Sequence, residues 1–182
     1  LWESASEGVR KEWARHNNTL FDGADDKVRF KYVNLVAEEG SAWHQDVLGW
    51  MYQHGKGVDQ NDVLAVEWYR KAAKQGHSEA QCDLGFMYDN GRGVDVNYKK
   101  AIEWYEKAAE QGDADAQYNL GVMYYDGLGV DVNYKKAIEW YEKAAEQGDA
   151  DAQYNLGVMY YDGLGVDVNY KKAIEWYEKA AE

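Results

Sequence analysis

Residues 112–146 read GDADAQYNLGVMYYDGLGVDVNYKKAIEWYEKAAE, and residues 148–182 repeat the same 35 letters. The identity extends upstream, since residues 93–111 match residues 129–147 letter for letter. Diverged versions of the same unit begin at Gly40 and Gly76, so successive units start 36 residues apart. A fixed period of this length is typical of repeat arrays, and it outweighs the total length as a guide to domain organisation.

Each unit predicts two amphipathic helices, which we call helix A and helix B. In the third unit, Asp113 is a candidate N-cap for helix A and Asn133 is one for helix B. Apolar residues recur on each helix at steps of three and four, which predicts one buried face per helix. These faces comprise Ala116, Leu120, Met123 and Tyr124 on helix A, and Ala137, Ile138, Tyr141, Ala144 and Ala145 on helix B.

Glycines punctuate the unit. Gly127-Leu128-Gly129 separates the two helices, and Gly148 is expected to end helix B in the left-handed conformation. Gly121 lies inside helix A, where glycine costs about 1 kcal/mol, so we expect a backbone crossing too close for a side chain. Glu139 and Lys143 form an i,i+4 pair in the favourable order. Two short helices cannot enclose a core alone, so the units must stack on their neighbours.

The first 39 residues match the unit poorly. Ser4 or Ser6 can cap a helix that runs to about Asn17, and a second helix is predicted over residues 27–39. Its apolar face comprises Val28, Tyr32, Leu35 and Val36. We interpret residues 1–39 as a degenerate capping repeat, followed by repeats over residues 40–75, 76–111, 112–147 and 148–182.

Motifs in the third unit resemble those of the SEL-like repeat family, a relative of the tetratricopeptide repeat. They are Ala-Gln at 116–117, Leu-Gly-x-Met-Tyr at 120–124, Gly-x-Gly-Val at 127–130 and Lys-Ala-x-x-Trp-Tyr-x-Lys-Ala-Ala at 136–145. The resemblance is strong over residues 40–182 and implies an all-α fold, a right-handed α-solenoid of antiparallel helix pairs. It also implies a non-enzymatic scaffold that binds proteins or peptides. In a cysteine-rich branch of the family, disulfides link the helices. Cys82 is the only cysteine of this chain, so the chain does not belong to that branch.

By position, the tetratricopeptide fold places a concave binding groove on the helix-A residues that face away from helix B. The predicted groove residues are Trp43, Asp46, Trp50, Gln53 and His54 in the first repeat, Glu79, Cys82, Phe86, Asp89 and Asn90 in the second, and Asp115, Tyr118, Val122, Tyr125 and Asp126 in the third, with Asp151, Tyr154, Val158, Tyr161 and Asp162 as counterparts in the fourth. The alternative is that these residues pack helix A on its neighbour, with Tyr118 stacked on Tyr154. The divergent residues 40–90 are expected to carry any specific recognition.

The last helix B is predicted to leave an apolar face open. Tyr170, Ile174, Tyr177 and Ala181 would contribute to it, and a self-complementary face of this kind would give a homodimer. The strict identity of the last 90 residues favours an engineered chimera, in which consensus modules extend a natural segment of roughly residues 1–92. Recent natural duplication is the alternative. Because the chain begins at Leu1, we expect a fragment of a longer protein.

Charge and composition exclude several classes of function. A net charge of −13 repels nucleic acid and anionic membranes and favours basic partners. No apolar run is long enough for a membrane span, and no signal peptide is visible, so the compartment is left open, although one cysteine is compatible with the cytoplasm. The four histidines lack metal-ligand spacing, and the glycine pairs do not follow a strand. No cofactor, metal or catalytic residue is therefore predicted.

Overall fold

The computed structural model describes residues 25–181, which form nine α-helices and no strand within that range. The helices are α1 (Asp26–Glu38), α2 (Ala42–His54), α3 (Asp62–Lys74), α4 (Ser78–Asn90), α5 (Tyr98–Glu110), α6 (Ala114–Asp126), α7 (Tyr134–Glu146), α8 (Ala150–Asp162) and α9 (Tyr170–Ala180). The all-helical prediction is thereby confirmed. The helix predicted between Ser4 and Asn17 lies outside the described residues.

The chain divides into two compact units. Among the described residues, unit 1 comprises residues 25–80 and 92–94, and unit 2 comprises residues 81–91 and 95–181. In unit 1, α2 packs against both α1 and α3. In unit 2, α6, α7, α8 and α9 pack in succession, each on the next. Helices of about a dozen residues thus bury their faces against neighbours, as their length requires.

Unit 1 is built on a core between α1 and α2. Tyr32 and Val36 of α1 are buried with Leu48 and Met51 of α2. The predicted second helix is therefore present, although Val28 and Leu35 of its predicted face are only half-buried. Arg92 adds a two-point ion pair, with Nη2 and Nε at 2.9 Å and 3.1 Å from the carboxylate oxygens of Asp62 at the start of α3.

Unit 2 follows the predicted capping pattern. Asp113 Oδ1 accepts a hydrogen bond from the Ala116 amide at 2.8 Å, and Asn133 Oδ1 accepts one from the Lys136 amide at 3.1 Å. Gly148 has φ +91°, the left-handed conformation expected at the end of helix B. The core cluster contains the whole predicted face of α7, namely Ala137, Ile138, Tyr141, Ala144 and Ala145. Local sequence signals thus set these helix ends and this buried face.

Two details of unit 2 differ from expectation. The close neighbour of Gly121 is an aromatic ring, because a Cβ atom there would lie 2.4 Å from ring atoms of Tyr141. The prediction of a backbone crossing was wrong, although the need for glycine was correct. The Lys143 ammonium lies 3.8 Å from the centroid of the Trp140 ring, a cation–π contact, instead of extending toward Glu139.

Buried glutamines connect successive helix pairs. Gln117 Nε2 donates to the carbonyl oxygen of Ala109 on the preceding helix at 3.2 Å. Its Oε1 accepts from Gln147 Nε2 at 2.8 Å, which links α6 to the end of α7. Gln153 repeats the first bond by donating to Ala145 at 3.1 Å. Each buried amide is therefore hydrogen-bonded across a helix boundary, which fixes the register of stacking.

Candidate functional site

A cavity of about 250 Å³ lies in unit 2, against α6, α7 and α8. Its lining is formed by Tyr118, Val122, Tyr125, Asp126, Tyr141, Asn155 and Val158. Four of these were predicted for the groove of the third repeat, and Val158 was predicted for the fourth. We call this cavity the tyrosine cavity.

The tyrosines are held by neighbouring aromatic rings. The ring centroids of Tyr118 and Tyr141 are 5.8 Å apart, and those of Tyr125 and Tyr134 are 5.4 Å apart. The Asn155 side chain of α8 lies close to Tyr118 and Tyr141 and lines the same cavity. Rings packed in this way are fixed in position before any ligand arrives, so the cavity walls are preorganised.

The two ring pairs correct one sequence interpretation. Tyr118 pairs with Tyr141 of the same repeat, and Tyr154 pairs with Tyr177 at 5.5 Å. The expected stacking of Tyr118 on Tyr154 was therefore wrong, because helix B of each repeat supplies the facing ring. Tyr118 packs on Tyr141 within its own repeat and also lines the tyrosine cavity.

Carboxylates make the cavity electrostatically negative. Burial raises the pKa of Tyr118 above its usual value, and the carboxylates of Asp151, Asp149 and Asp126 raise the pKa further, while the Asn155 side chain lowers it. Burial likewise raises the pKa of Tyr125, with added contributions from Tyr134, Asp126 and Asp162. No lysine or arginine belongs to the lining. The cavity therefore favours a cation over an anion.

The second repeat differs at the equivalent positions. Cys82 occupies the position of Tyr118 and is buried, while Asp89 occupies the position of Tyr125 and is half-buried. Phe86 and Asn90 are exposed, as is Asp115 on α6. Burial, followed by the nearby carboxylates of Asp113, Asp83 and Asp115, raises the pKa of the Cys82 thiol far above its usual range. The thiol is thus neutral and buried, and it offers no reactive group to a partner.

The predicted groove residues of unit 1 lie mainly on α2. Trp43 and Trp50 are each 43% exposed, and the Trp50 ring packs on the exposed His54 ring at a centroid distance of 4.6 Å. Asp46 is half-buried, and Glu79 is exposed at the start of α4. Gln53 instead is buried and accepts a hydrogen bond from the Tyr69 hydroxyl at 2.6 Å. Gln53 therefore contributes to the interior of the repeat and offers no exposed surface.

The apolar face of α9 is largely open. Ile174 is 56% exposed, whereas Ile138 at the identical position of α7 is 6% exposed. Tyr170 and Ala181 are exposed, and Tyr177 is half-buried. The difference between α7 and α9 arises because α8 covers α7.

Sequence reasoning missed two residues of the tyrosine cavity. Tyr141 was assigned to the buried face of helix B alone, and Asn155 was not singled out. Asn155 follows Tyr154 in an otherwise apolar stretch of helix A, which is the signal that could have identified a polar contact between repeats. Sequence reasoning also missed His44 of unit 1. Its Nδ1 atom lies 2.7 Å from Ser41 Oγ, and burial lowers the pKa of its ring.

The Sel1 repeat profile matches residues 45–77, 78–113, 114–149 and 150–182. The chain belongs to the Sel1 repeat family. Sel1 repeat proteins are non-catalytic scaffolds that mediate protein–protein interactions. Across residues 25–181, no helix is long and apolar enough to cross a membrane, and no cluster of three metal-ligating side chains occurs.

Solved Sel1 repeat structures resemble the chain closely. It is 38% identical to c5321, a protective antigen present in uropathogenic Escherichia coli strains that displays an SLR fold, with a TM-score of 0.83 over 86% of this chain and 34% of the antigen. It is 37% identical to a Sel1 repeat protein from Oxalobacter formigenes, with a TM-score of 0.81 over 85% of this chain and 62% of that protein.

A more distant structure is Helicobacter pylori cysteine rich protein B, at 27% identity and a TM-score of 0.58 over 71% of this chain and 96% of that protein. No curated protein sequence matches the chain significantly. The chain thus spans about a third of the antigen's length and less than two thirds of the Oxalobacter protein's length.

Proposed function

We propose that the chain binds an extended protein segment through the helix-A faces of its repeats, with the tyrosine cavity as the main anchoring site. The supporting observation is that Tyr118, Val122 and Tyr125, which share one stripe of α6, line a single cavity with Val158 of α8. Preorganised aromatic pockets are where binding energy concentrates in protein interfaces. The general role of Sel1 repeats in protein binding agrees with this assignment.

The bound segment is proposed to be basic. The chain carries a net charge of −13, and the carboxylates of Asp126, Asp151 and Asp162 influence the cavity tyrosines. A basic segment would associate faster and more tightly at low ionic strength, because exposed charges are screened over about 10 Å at 0.1 M salt.

Selection from a random dodecapeptide library displayed on phage tests this proposal. Enriched peptides should carry Lys or Arg, and Tyr125→Ala should weaken their binding by about tenfold or more. Tyr161→Ala is the matched control, because Tyr161 occupies the same position in an identical helix outside the cavity lining. Failure to enrich any peptide, or equal losses from both substitutions, would contradict the proposal.

The exposed tryptophans of α2 are proposed as a second contact region. Trp43 and Trp50 lie seven residues apart and hence on one helix face, with Asp46 between them. Trp50→Ala should weaken binding of the selected peptides by less than Tyr125→Ala does, while leaving the thermal unfolding curve of the chain unchanged. Unaltered affinity would remove α2 from the binding surface.

We also propose that the open face of α9 mediates homodimerisation. The observation behind this proposal is the exposure of Ile174 and Tyr170 on a helix whose twin, α7, is covered. A second copy that presents the same face would shield both apolar surfaces around a two-fold axis. This interface would involve Tyr170, Ile174, Tyr177 and Ala181 of each copy.

Sedimentation velocity over a range of protein concentrations tests the dimer. Ile174→Lys should shift the chain to a monomer, whereas Val132→Lys, at a similarly exposed valine away from α9, should leave the dimer intact. A wild-type chain that stays monomeric at the highest concentrations would refute the dimer.

The origin of the repeats is a separate proposal. We infer that consensus modules extend a natural segment of roughly residues 1–92, and that residues 1–39 act as an N-terminal capping repeat before four repeats. Consensus repeats gain stability from favourable neighbour interfaces. Amide hydrogens in α6 and α7 should therefore exchange more slowly than those in α2 and α3, and the reverse order would argue for natural duplication.

A further inference from the structure

The tyrosine cavity has the size of a subsite for one side chain. Its volume of about 250 Å³ falls below the roughly 300–1,000 Å³ of typical small-molecule sites. The walls are the rings of Tyr118, Tyr125 and Tyr141 together with two valines, and the polar groups are Asp126 and Asn155. A flat or slender group with an apolar stem and a polar end fits a lining of this kind.

The charges around the cavity require that this polar end be a cation. Asp126 is exposed and belongs to the lining, and Asp151 and Asp162 act on Tyr118 and Tyr125 respectively. All of these carboxylates come from helices α6 and α8, and the lining contains no basic side chain to neutralise them. An acidic or uncharged anchor would leave this negative potential uncompensated.

We propose that the tyrosine cavity is a subsite for an arginine side chain of the bound segment; this assignment rests on the proposed function. A guanidinium group stacks on tyrosine faces and can donate two hydrogen bonds to one carboxylate, here Asp126. A lysine ammonium is a compact, strongly hydrated charge that cannot use the ring faces and the carboxylate in the same planar manner. The cavity therefore selects arginine over lysine.

The second repeat provides an internal comparison. At the positions of Tyr118 and Tyr125, the second repeat has Cys82, which is buried, and Asp89, which is half-buried. These positions cannot form two aromatic walls. The arginine subsite accordingly belongs to the third and fourth repeats, within the strictly repeated block where the sequence alone predicted no specific recognition.

Methyl NMR spectroscopy of the full chain with labelled valines tests the subsite. Val122 and Val158 both line the cavity and can be assigned by conservative Val→Ile substitutions. Titration with N-acetyl-arginine amide should shift both resonances, while N-acetyl-citrulline amide, a neutral analogue of similar shape, should bind at least about tenfold more weakly. N-acetyl-lysine amide should also bind more weakly than the arginine probe.

Charge variants complete the test. Asp126→Asn should weaken binding of the arginine probe by about tenfold, whereas Asp131→Asn, the same charge change in the following turn, should not. Equal binding of arginine and citrulline probes, or no effect of Asp126→Asn, would overturn the arginine assignment. The arginine assignment would also be overturned if library-selected peptides depend on Tyr125 for binding but tolerate citrulline in place of arginine. That result would leave the proposed function intact.

Discussion

At the scale of single residues, Cys82 shows how the surroundings of a side chain decide its chemistry. Its thiol lies in unit 2 near the carboxylates of Asp83, Asp113 and Asp115, and burial is the largest cause of its raised pKa. Thiolate is the reactive form, so the raised pKa suppresses reaction of the native thiol. The residue belongs to the interior and is not a nucleophile.

We expect the native chain to react very slowly with Ellman's reagent at pH 8 and rapidly in guanidinium chloride. The native thiol is both neutral and covered, whereas the unfolded thiol has a pKa of about 8.5. Cys82→Ser is the blank for this measurement. A fast reaction of the native chain would show that the thiol is accessible.

His44 provides a second residue-scale prediction. Burial lowers its pKa in the fold below the unfolded value of about 6.5, so the neutral ring is favoured by folding. The stability that it contributes is therefore fully present above pH 6.5 and is lost as the pH falls from 6.5 through the lower pKa of the folded state. The melting temperature of the chain should decrease between pH 7.5 and pH 5.5.

His44→Ala should reduce this pH dependence, because Ala80, Ala116 and Ala152 occupy the same position in the other repeats without a titrating group. His54→Ala, at an exposed position of the same helix, is the control and should retain the dependence. An unchanged pH profile in His44→Ala would assign the effect to another group.

At the scale of helices, the close approach of helix A to helix B determines which residue is tolerated at Gly121. Gly121→Ala would place a methyl group 2.4 Å from the Tyr141 ring. Overpacking costs about 1–3 kcal/mol, against a helix-propensity gain of about 1 kcal/mol. The urea midpoint of the chain should therefore decrease.

Gly157→Ala is the matched comparison, since Gly157 faces Tyr177 with a similar spacing of 2.4 Å. Tyr141 is buried, whereas Tyr177 is only half-buried. The Tyr177 ring can therefore move away from the added methyl group at lower cost. The midpoint should decrease less for Gly157→Ala than for Gly121→Ala. Equal losses would indicate that the two rings are held with equal rigidity.

At the scale of the whole molecule, identical segments acquire different roles according to whether a further helix packs on them. Helices α7 and α9 share the sequence YKKAIEWYEKA, yet only α7 is covered by a further helix A. Tyr154 and Tyr161 of α8 are likewise exposed, although Tyr118 and Tyr125 line a cavity. A neighbouring repeat on the C-terminal side is therefore needed to convert an exposed tyrosine pair into a cavity wall.

Extension of the chain by one more copy of residues 111–146, which keeps the 36-residue period after Glu182, should therefore have two effects. The added helix A would cover Tyr170 and Ile174, and it would place an asparagine and a valine against Tyr154, Tyr161 and Tyr177. We expect the stoichiometry of the arginine probe to rise from one to two. Val158 should respond to the probe at both sites, and an unchanged stoichiometry would contradict the role of the additional repeat.

Much of the fold could be predicted from the sequence because its determinants are local. Asp113 and Asn133 cap their own helices, and the spacing of apolar residues places Leu120 and Tyr141 on buried faces whatever the partner. The period of 36 residues requires that these faces meet the next unit. The helix pairs and their cores thus depend on short-range sequence signals.

The candidate site was predictable only in part. The stripe of Tyr118, Val122 and Tyr125 is given by helical spacing, but the ring that faces Tyr118 is Tyr141, and Asn155 comes from the next repeat. Gln53 and Cys82 have the same spacing and are nevertheless buried. Helical spacing gives the direction of a side chain and leaves open whether another helix covers it.

By itself, the sequence determined the repeated helix pair, its caps and its glycine turns, because each depends on residues within a few positions of one another. Only the tertiary structure decided which copy of an identical residue is buried, exposed or part of a cavity. Ile138 and Ile174 have the same local sequence and opposite burial, since burial depends on a neighbour that lies one repeat away.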